Sequence, residues 1–270
     1  MRTGDVGYWR GLSYPFRGAR FVFVSHPGLA RFWLPPIILT LLALLAAAIW
    51  AVGIRKRALA LLWSVPEAHD WLGRMLGWLH GAAEILVGLL AFLVGAVLVL
   101  LVANVVAAPF HDALSEEVER IRTGRGAQGF SVRALVGDLA RTVALEATKL
   151  SAYLAIMLPL LLVSWLVPGI GSLVYSLAAF LFTAYYFALD YMDWAASRHG
   201  LSVRERIGLV RQHAAAALGF GTGVWVILFV PILNLLFMPA AVAGGTLLFL
   251  ELSGSQRHGN HRTATQSRGP

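Results

Sequence analysis

The fold class of this chain is decided by the stretch AFLVGAVLVLLVANVVAAPFHDALSEEVER, residues 91–120. It contains the end of an apolar run over about residues 85–108, which is long enough for a helix to cross a bilayer. Within about two helical turns of Pro109 the run changes to histidine, aspartate, serine and glutamate. An apolar segment of this length that passes into a carboxylate-rich extension predicts an all-α integral membrane protein.

The composition supports the same class. The 270 residues are 58% hydrophobic and 13% charged, and the mean hydropathy is +0.71, whereas soluble domains carry about 25% charged residues. In so apolar a chain, the net charge of +8 favours phospholipid head groups or an anionic solute as partners, and not nucleic acid. The sequence has no cysteine, which excludes disulfides, thiolate metal sites and cysteine catalysis.

Motifs of ATP hydrolysis and of common enzyme classes are missing from the sequence. It has no Walker motif, no G-x-S-x-G and no G-x-G-x-x-G opening a βαβ unit. TGRGAQG (123–129) lacks the Lys-Ser/Thr of a phosphate loop. No paired metal-ligand spacing occurs among His26, His69, His80, His111, His199 and His213. We therefore predict neither an enzyme nor an ATP-driven pump, and no cofactor or metal.

The N-terminal part predicts an interfacial helix followed by a first spanning helix. In residues 8–24, one helical stripe carries Trp9, Leu12, Phe16, Ala19 and Phe23. This pattern predicts a helix lying in the membrane interface, with Pro15 as an alternative start. The long apolar run over about residues 33–53 then predicts a transmembrane helix, and a more polar loop is expected over residues 54–81.

Four shorter apolar segments form two pairs in the second half of the chain. PGIGS (168–172) interrupts the first pair, 151–189, and PILN (231–234) interrupts the second, 214–250. Each segment has roughly 16–18 residues, or about 24–27 Å of helix, against a hydrocarbon thickness of about 30 Å. Hairpins that enter the membrane part-way fit at least as well as conventional spanning helices, and both remain open. We predict one membrane domain over residues 1–252 and a disordered polar tail over 253–270.

Positive charge predicts the orientation. With a cytoplasmic N-terminus, eighteen of the 22 Lys and Arg residues fall on the inside and four on the outside. The hairpin turns carry neither Lys nor Arg, so this count is the same whether the hairpins cross the bilayer or only enter it.

The acidic end of the long run is the first candidate site. Asp112, Ser115, Glu116 and Glu119 recur at helical spacing and share one face, and Glu116 is well placed to pair with Arg120. The structural interpretation is that Pro109 ends or kinks the membrane helix and the acids begin a cytosolic extension. The functional interpretation is that the acids pair with arginines near the mouth of a solute path.

Two asparagines belong to the same solute-path hypothesis. Asn104 lies in the apolar run ahead of the acids, and Asn234 lies at the second hairpin turn. A buried asparagine in a membrane protein must find hydrogen-bond partners or line water.

A second candidate site is the turn SHPGLARF, residues 25–32. Gly28 permits a tight turn, the amides that follow it are expected to lack intrahelical partners, and Arg31 adds a planar donor group. Together with the positive end of the next helix, these groups predict an oxyanion site. The alternative is that Arg31 anchors the chain to lipid phosphates.

Three blocks of sequence resemble the family of CysZ-type sulfate permeases and etoposide-induced proteins. They are GARFVFVSHPGLARFWLPPIIL (18–39), AAPFHDALSEEVE (107–119) and the longer block 191–248, which begins YMDWAASRHGLSVRERIGLV. The resemblance implies two long transmembrane helices, two hemi-penetrating helical hairpins, homo-oligomers in the bacterial inner membrane, and sulfate uptake for cysteine synthesis.

The resemblance also assigns roles to residues. It implies a sulfate site at Gly28, Leu29, Ala30 and Arg31, and a solute path near the acidic helix and the Asn234 turn. This chain departs from the family at Ala30, where a second basic residue commonly precedes the arginine. The alternatives to a sulfate permease are a non-transporting membrane scaffold or assembly protein, and a channel for another ion.

Overall fold

The structure, a computed structural model, describes residues 6–62, 71–124, 151, 153–167, 169–228 and 231–266, and excludes the side chains of 62, 231–236 and 255–266. Most of these residues are helical, and no β-strand occurs among them. The elements are α1 (Tyr8–Ala19), a π-helix (Arg20–Ser25), a 3-10 helix (Pro27–Leu29), α2 (Ala30–Leu62), α3 (Trp71–Thr123), α4 (Tyr153–Leu166), α5 (Ile170–Arg198), α6 (Val203–Gln212), α7 (Ala214–Leu228) and α8 (Pro231–Gln266).

Four helical stretches are long and apolar enough to cross a membrane: Pro27–Leu61, Trp71–Thr123, Ile170–Arg198 and Phe237–Gly254. The prediction of an all-α, multi-pass membrane protein is confirmed at this level. α5 and α8 are longer than the predicted segments because each helix continues past the end of its apolar run. Helix length therefore does not distinguish spanning helices from part-way hairpins.

The chain divides into two compact units, and the smaller contains residues 31–110. In this unit α2 and α3 run antiparallel: Arg55 Nε donates to Glu84 Oε1 at 2.8 Å, and the space beside Gly95 is closed by Ala47. The apolar side chains on the outside of this pair are largely exposed, as expected for a surface that faces lipid.

One expectation for this region was wrong. Residues 54–62 and 71–81 are helical and not part of a loop, and the charged Arg55 and Glu84 pair with each other; residues 63–70 lie outside the described part. Pro109 was expected to end or kink its helix; it does not end it, because α3 continues to Thr123, and a kink stays a prediction. A proline in a membrane helix is tolerated where neighbouring groups satisfy the freed backbone carbonyl.

The larger unit contains residues 1–30 and 111–270, and its core is formed by α1, α5, α7 and α8. These helices approach each other through glycines. A Cβ added to any of these glycines would overlap a backbone carbonyl oxygen of the neighbouring helix: Gly11 on Ala216, Gly18 on Ala240, Gly219 on Tyr8, Gly221 on Ala184 and Gly245 on Tyr191. Small residues let membrane helices pack backbone to backbone, and the apolar part of α8 is consequently mostly buried.

α4 and α5 form an antiparallel hairpin. The rings of Tyr153 and Phe182 lie 5.4 Å apart, and Gly171 packs against the backbone of Ser164. Gly169 makes the turn with φ of 86°, a backbone conformation that favours glycine. This break agrees with the predicted PGIGS turn, of which Pro168 lies outside the described residues.

α1 begins at Tyr8, so the alternative start at Pro15 was wrong. Its buried face carries Gly11, Pro15 and Gly18, while Trp9 is 78% exposed. The predicted aromatic stripe thus points away from α7 and α8. α8 is helical to Gln266, and the boundary between a membrane domain and a polar tail at residue 252 stays a prediction.

Candidate functional site

The acidic end of α3 packs against the C-terminal end of α5, and Arg198 joins the two helices. Its Nη1 donates to Asp112 Oδ1 at 2.6 Å, and its Nη2 donates to Ser115 Oγ at 2.7 Å and to Glu119 Oε2 at 3.3 Å. The planar guanidinium presents both nitrogens to one helix face. Three of the predicted site residues are therefore brought together around one arginine.

Two further contacts complete this Arg198 cluster, which we define as Asp112, Ser115, Glu119, Arg198, His199 and Thr246. His199 Nε2 lies 2.6 Å from Glu119 Oε1. Ser115 Oγ lies 2.6 Å from Thr246 Oγ1, and Thr246 in turn donates to the backbone carbonyl of Val242. Ser115 and Thr246 are buried, so these hydrogen bonds satisfy hydroxyl groups that have no access to water.

Glu116 stands apart from this network. Arg120 does not pair with it as predicted, because Arg120 donates from Nε and Nη2 to Glu117, at 2.7 and 2.6 Å. Glu116 Oε1 is buried and accepts no hydrogen bond from the described residues. Of the four predicted acidic-face residues, Glu116 is thus the one that Arg198 does not bind.

The two predicted asparagines both lie within helices. Asn104 is exposed on α3. Asn234 lies in the first turn of α8 and not in a loop, since the helix begins at Pro231; its side chain, and residues 229–230 before the helix, lie outside the description.

The turn at Gly28 differs from its prediction in one respect. The amide of Leu29 donates to His26 O at 3.0 Å, and the amide of Ala30 donates to Pro27 O. These two N–H groups are therefore already used inside the 3-10 turn, and the expectation that they would lack partners was wrong. The Arg31 guanidinium lies 4.7 Å from the ring centroid of Phe32, which is within cation–π distance.

The chemistry of the Arg198 cluster is that of ion pairing. The carboxylates of Asp112 and Glu119 both pair with the Arg198 guanidinium, and the His199 imidazole lies against Glu119. The described residues bring no group of three His, Asp or Glu side chains close enough to hold a metal ion.

Sequence reasoning missed three partners of this helix face. Arg198 and His199 pair with the acids, and Thr246 pairs with Ser115. A signal was present, because Arg198 and His199 follow the apolar run of α5 directly, and basic side chains at a helix C-terminus are favoured there in any case. That common alternative is why the signal did not identify a cluster.

A family model described as "Sulfate transporter CysZ/Etoposide-induced protein 2.4" matches residues 14–239. This range contains α3 and α5 in full, as well as the turn at Gly28.

Individual relatives agree with the family match. The protein of Pectobacterium atrosepticum named sulfate transporter CysZ is 31% identical over 248 residues, which cover 89% of this chain and 84% of the relative. The protein of Pseudomonas aeruginosa strain PAO1 with the same name is 33% identical over 242 residues, covering 89% and 95%. The one of Pseudomonas fluorescens strain Pf0-1 is 32% identical over 234 residues, covering 86% and 90%.

Proposed function

Because the chain belongs to the family of the sulfate transporter CysZ and etoposide-induced protein 2.4, we propose that it is a sulfate permease. It moves sulfate or a closely related oxyanion across a membrane without ATP hydrolysis, and supplies sulfate assimilation and cysteine synthesis. The observation that carries this proposal is the similarity, over most of the chain, to proteins named sulfate transporters. The apolar helices support a membrane setting.

The proposed setting is the bacterial inner membrane, with a cytoplasmic N-terminus. The distribution of Lys and Arg supports this orientation. α2 and α3 cross the bilayer, the α4–α5 and α7–α8 pairs are hairpins that enter it part-way, and α1 lies in the interface. The exposed apolar side chains support contact with lipids and with further copies in a homo-oligomer.

Sulfate enters, in this proposal, at the turn formed by Gly28, Leu29, Ala30 and Arg31. Arg31 carries the recognition because two amides of the turn are already bonded within it. An arginine fork matches the geometry of a tetrahedral oxyanion. With alanine at position 30, one charge-assisted contact is missing, and such contacts contribute roughly 1.5–3 kcal/mol.

The Arg198 cluster supports the path beyond this turn. Unpaired carboxylates would repel sulfate, so the pairing of Asp112 and Glu119 with Arg198 favours passage of an anion. Glu116, Asn104 and Asn234 are proposed to line or support the same path. Uptake of a dianion against a negative-inside potential costs about 4.6 kcal/mol per 100 mV, so net uptake requires rapid consumption inside the cell or a coupled ion.

Sulfate flux into proteoliposomes tests the function. We expect purified protein to accelerate the entry of radiolabelled sulfate above the rate of protein-free liposomes when sulfate is supplied at a higher concentration outside. Chloride flux measured in the same vesicles separates a sulfate permease from a channel for another ion. A sulfate flux equal to that of empty liposomes, with folded protein in the membrane, would contradict the proposal.

We expect Arg31→Ala to abolish sulfate binding at this turn and Ala30→Arg to strengthen it about ten-fold, because each change removes or adds one charge-assisted contact. Calorimetry on the three proteins in detergent measures the Kd. The matched control is Arg57→Ala, which removes another exposed arginine. Equal affinity of wild type and Arg31→Ala would leave Arg31 as an interface anchor only.

The hairpin arrangement predicts how accessible the two hairpin turns are to reagents in water. Since the chain has no cysteine, Ser172→Cys and Asn234→Cys each introduce a single thiol. We expect both to resist membrane-impermeant thiol reagents added on either side, while Arg204→Cys on the exposed face of α6 reacts readily. Fast labelling of Ser172→Cys from the outer side would mean that α4 and α5 span the membrane fully.

A further inference from the structure

A cavity of about 610 Å³ lies in the larger unit, and none of the predicted site residues lines it. Its walls come from α1, the π-helix, the end of α3 and the middle of α8. Its polar lining is dominated by cations and hydroxyl groups, from Arg17, Arg20, Arg122, Tyr14, Ser25 and Thr123, and it also contains Glu251. Three positive charges therefore line one partly open cavity.

The one carboxylate in this lining is already engaged. Glu251 pairs with Arg10 and accepts a hydrogen bond from the Tyr14 hydroxyl. Burial, together with this hydrogen bond to Glu251, raises the pKa of Tyr14, so its hydroxyl stays protonated as a donor. The negative charge of Glu251 is thus compensated by Arg10 and Tyr14, without the three arginines of the cavity.

The three arginines lie on three different elements, Arg17 on α1, Arg20 on the π-helix and Arg122 on α3. The Arg17 guanidinium lies 5.0 Å from the centroid of the Tyr14 ring, and this contact leaves its N–H groups available for an acceptor. Arg20 and Arg122 are exposed at the mouth. In the described ranges, none of the three forms an ion pair with an acidic side chain.

We propose that this cavity binds a tetrahedral oxyanion, either free sulfate or phosphate or the phosphate group of an anionic phospholipid. Guanidinium groups bind such anions through paired, charge-assisted hydrogen bonds, and the hydroxyls of Ser25 and Thr123 add neutral donors. Phe21, Leu247 and Leu250 form an apolar part of the wall, which suits the remainder of a lipid. The cavity includes Ser25 of the stretch 25–32 but none of Gly28, Leu29, Ala30 and Arg31, and its occupancy does not depend on whether sulfate crosses the membrane.

Two arms of one experiment identify the source of the anion. In the first, delipidated full-length protein in a neutral detergent is titrated with inorganic sulfate and with inorganic phosphate by calorimetry. In the second, the protein is placed in nanodiscs of phosphatidylcholine with a labelled minor fraction of phosphatidylglycerol, and enrichment of the label at the protein is measured. Arg20→Gln, Arg122→Gln and the double variant are compared with wild type in both arms.

A free anion predicts that each substitution weakens the Kd for sulfate or phosphate roughly ten-fold. A lipid phosphate predicts no cavity-dependent binding in the first arm, but loss of phosphatidylglycerol enrichment in the double variant. Arg204→Gln removes an equally exposed positive charge on α6 and is expected to leave both readouts unchanged.

The cavity site is overturned if Arg20→Gln and Arg122→Gln change neither readout, or if Arg204→Gln changes them equally. It is also overturned if all oxyanion binding is lost in Arg31→Ala and phosphatidylglycerol shows no enrichment. If the protein gave no sulfate flux in liposomes while the cavity still bound its anion, the proposed transport function would be contradicted and the cavity site would stand.

Discussion

Arg198→Gln is expected to lower the free energy of unfolding by about 3 kcal/mol, at the lower end of the range for breaking a buried ion pair. The arginine is 19% exposed and bonds three side chains on α3. Glutamine cannot reach Asp112 and Glu119 together, so at least one carboxylate loses its compensating charge. Asp112 is 41% exposed, so water solvates its carboxylate when the ion pair is broken and reduces the loss of stability from this pair.

The measurement is the midpoint of denaturant unfolding in a fixed detergent, followed by a spectroscopic probe of helix. Arg198→Lys keeps the charge without the planar fork and is expected to fall between wild type and Arg198→Gln. Arg204→Gln, which removes an exposed arginine of α6, is expected to change stability by less than about 0.5 kcal/mol. If Arg198→Gln unfolded at the wild-type midpoint, the cluster would have no structural role.

A double-mutant cycle assigns the energy to the pairing. Asp112→Asn combined with Arg198→Gln is expected to be less destabilising than the sum of the single changes, because each change removes the same interaction. Purely additive effects would show that Arg198 acts through packing of its side-chain carbons.

The second large effect is expected at the closest approach of α5 and α7. In Gly221→Ala, the added Cβ would overlap the backbone carbonyl of Ala184, which cannot rotate away as a side chain can. The two helices must separate, and we expect a loss of about 3 kcal/mol, at the upper end of the typical range for overpacking. Protein yield and the same denaturation midpoint measure this loss.

Gly208→Ala is the matched control because Gly208 also lies within a helix, and a Cβ added there would meet no atom within 4 Å. This change is expected to stabilise α6 by about 0.5–1 kcal/mol, since alanine restricts the unfolded chain more than glycine does. A Gly221→Ala protein as stable as Gly208→Ala would mean that α5 and α7 do not pack backbone to backbone.

The sequence by itself determined the class of the protein and the order of its helical segments. Apolar runs of membrane length are a local property, and so is the break at Gly169, where the backbone needs a conformation that glycine adopts readily. The helical spacing of Asp112, Ser115 and Glu119 likewise predicted one shared face. The family match was carried by the quoted blocks, which lie largely within residues 14–239.

Only the tertiary structure decided which faces meet. Arg198 is 79–86 residues from its partners on α3, and Thr246 is 131 residues from Ser115, so no helical period connects them. α3 and α8 are both apolar, yet the apolar part of α3 is exposed whereas that of α8 is mostly buried. Apolar side chains are compatible with lipid and with protein surroundings alike. For α8, packing between glycines that are distant in sequence selects the protein surroundings. For the same reason, Arg17 and Arg20 are neighbours by helical spacing, but only the tertiary structure brings Arg122 beside them to line the cavity.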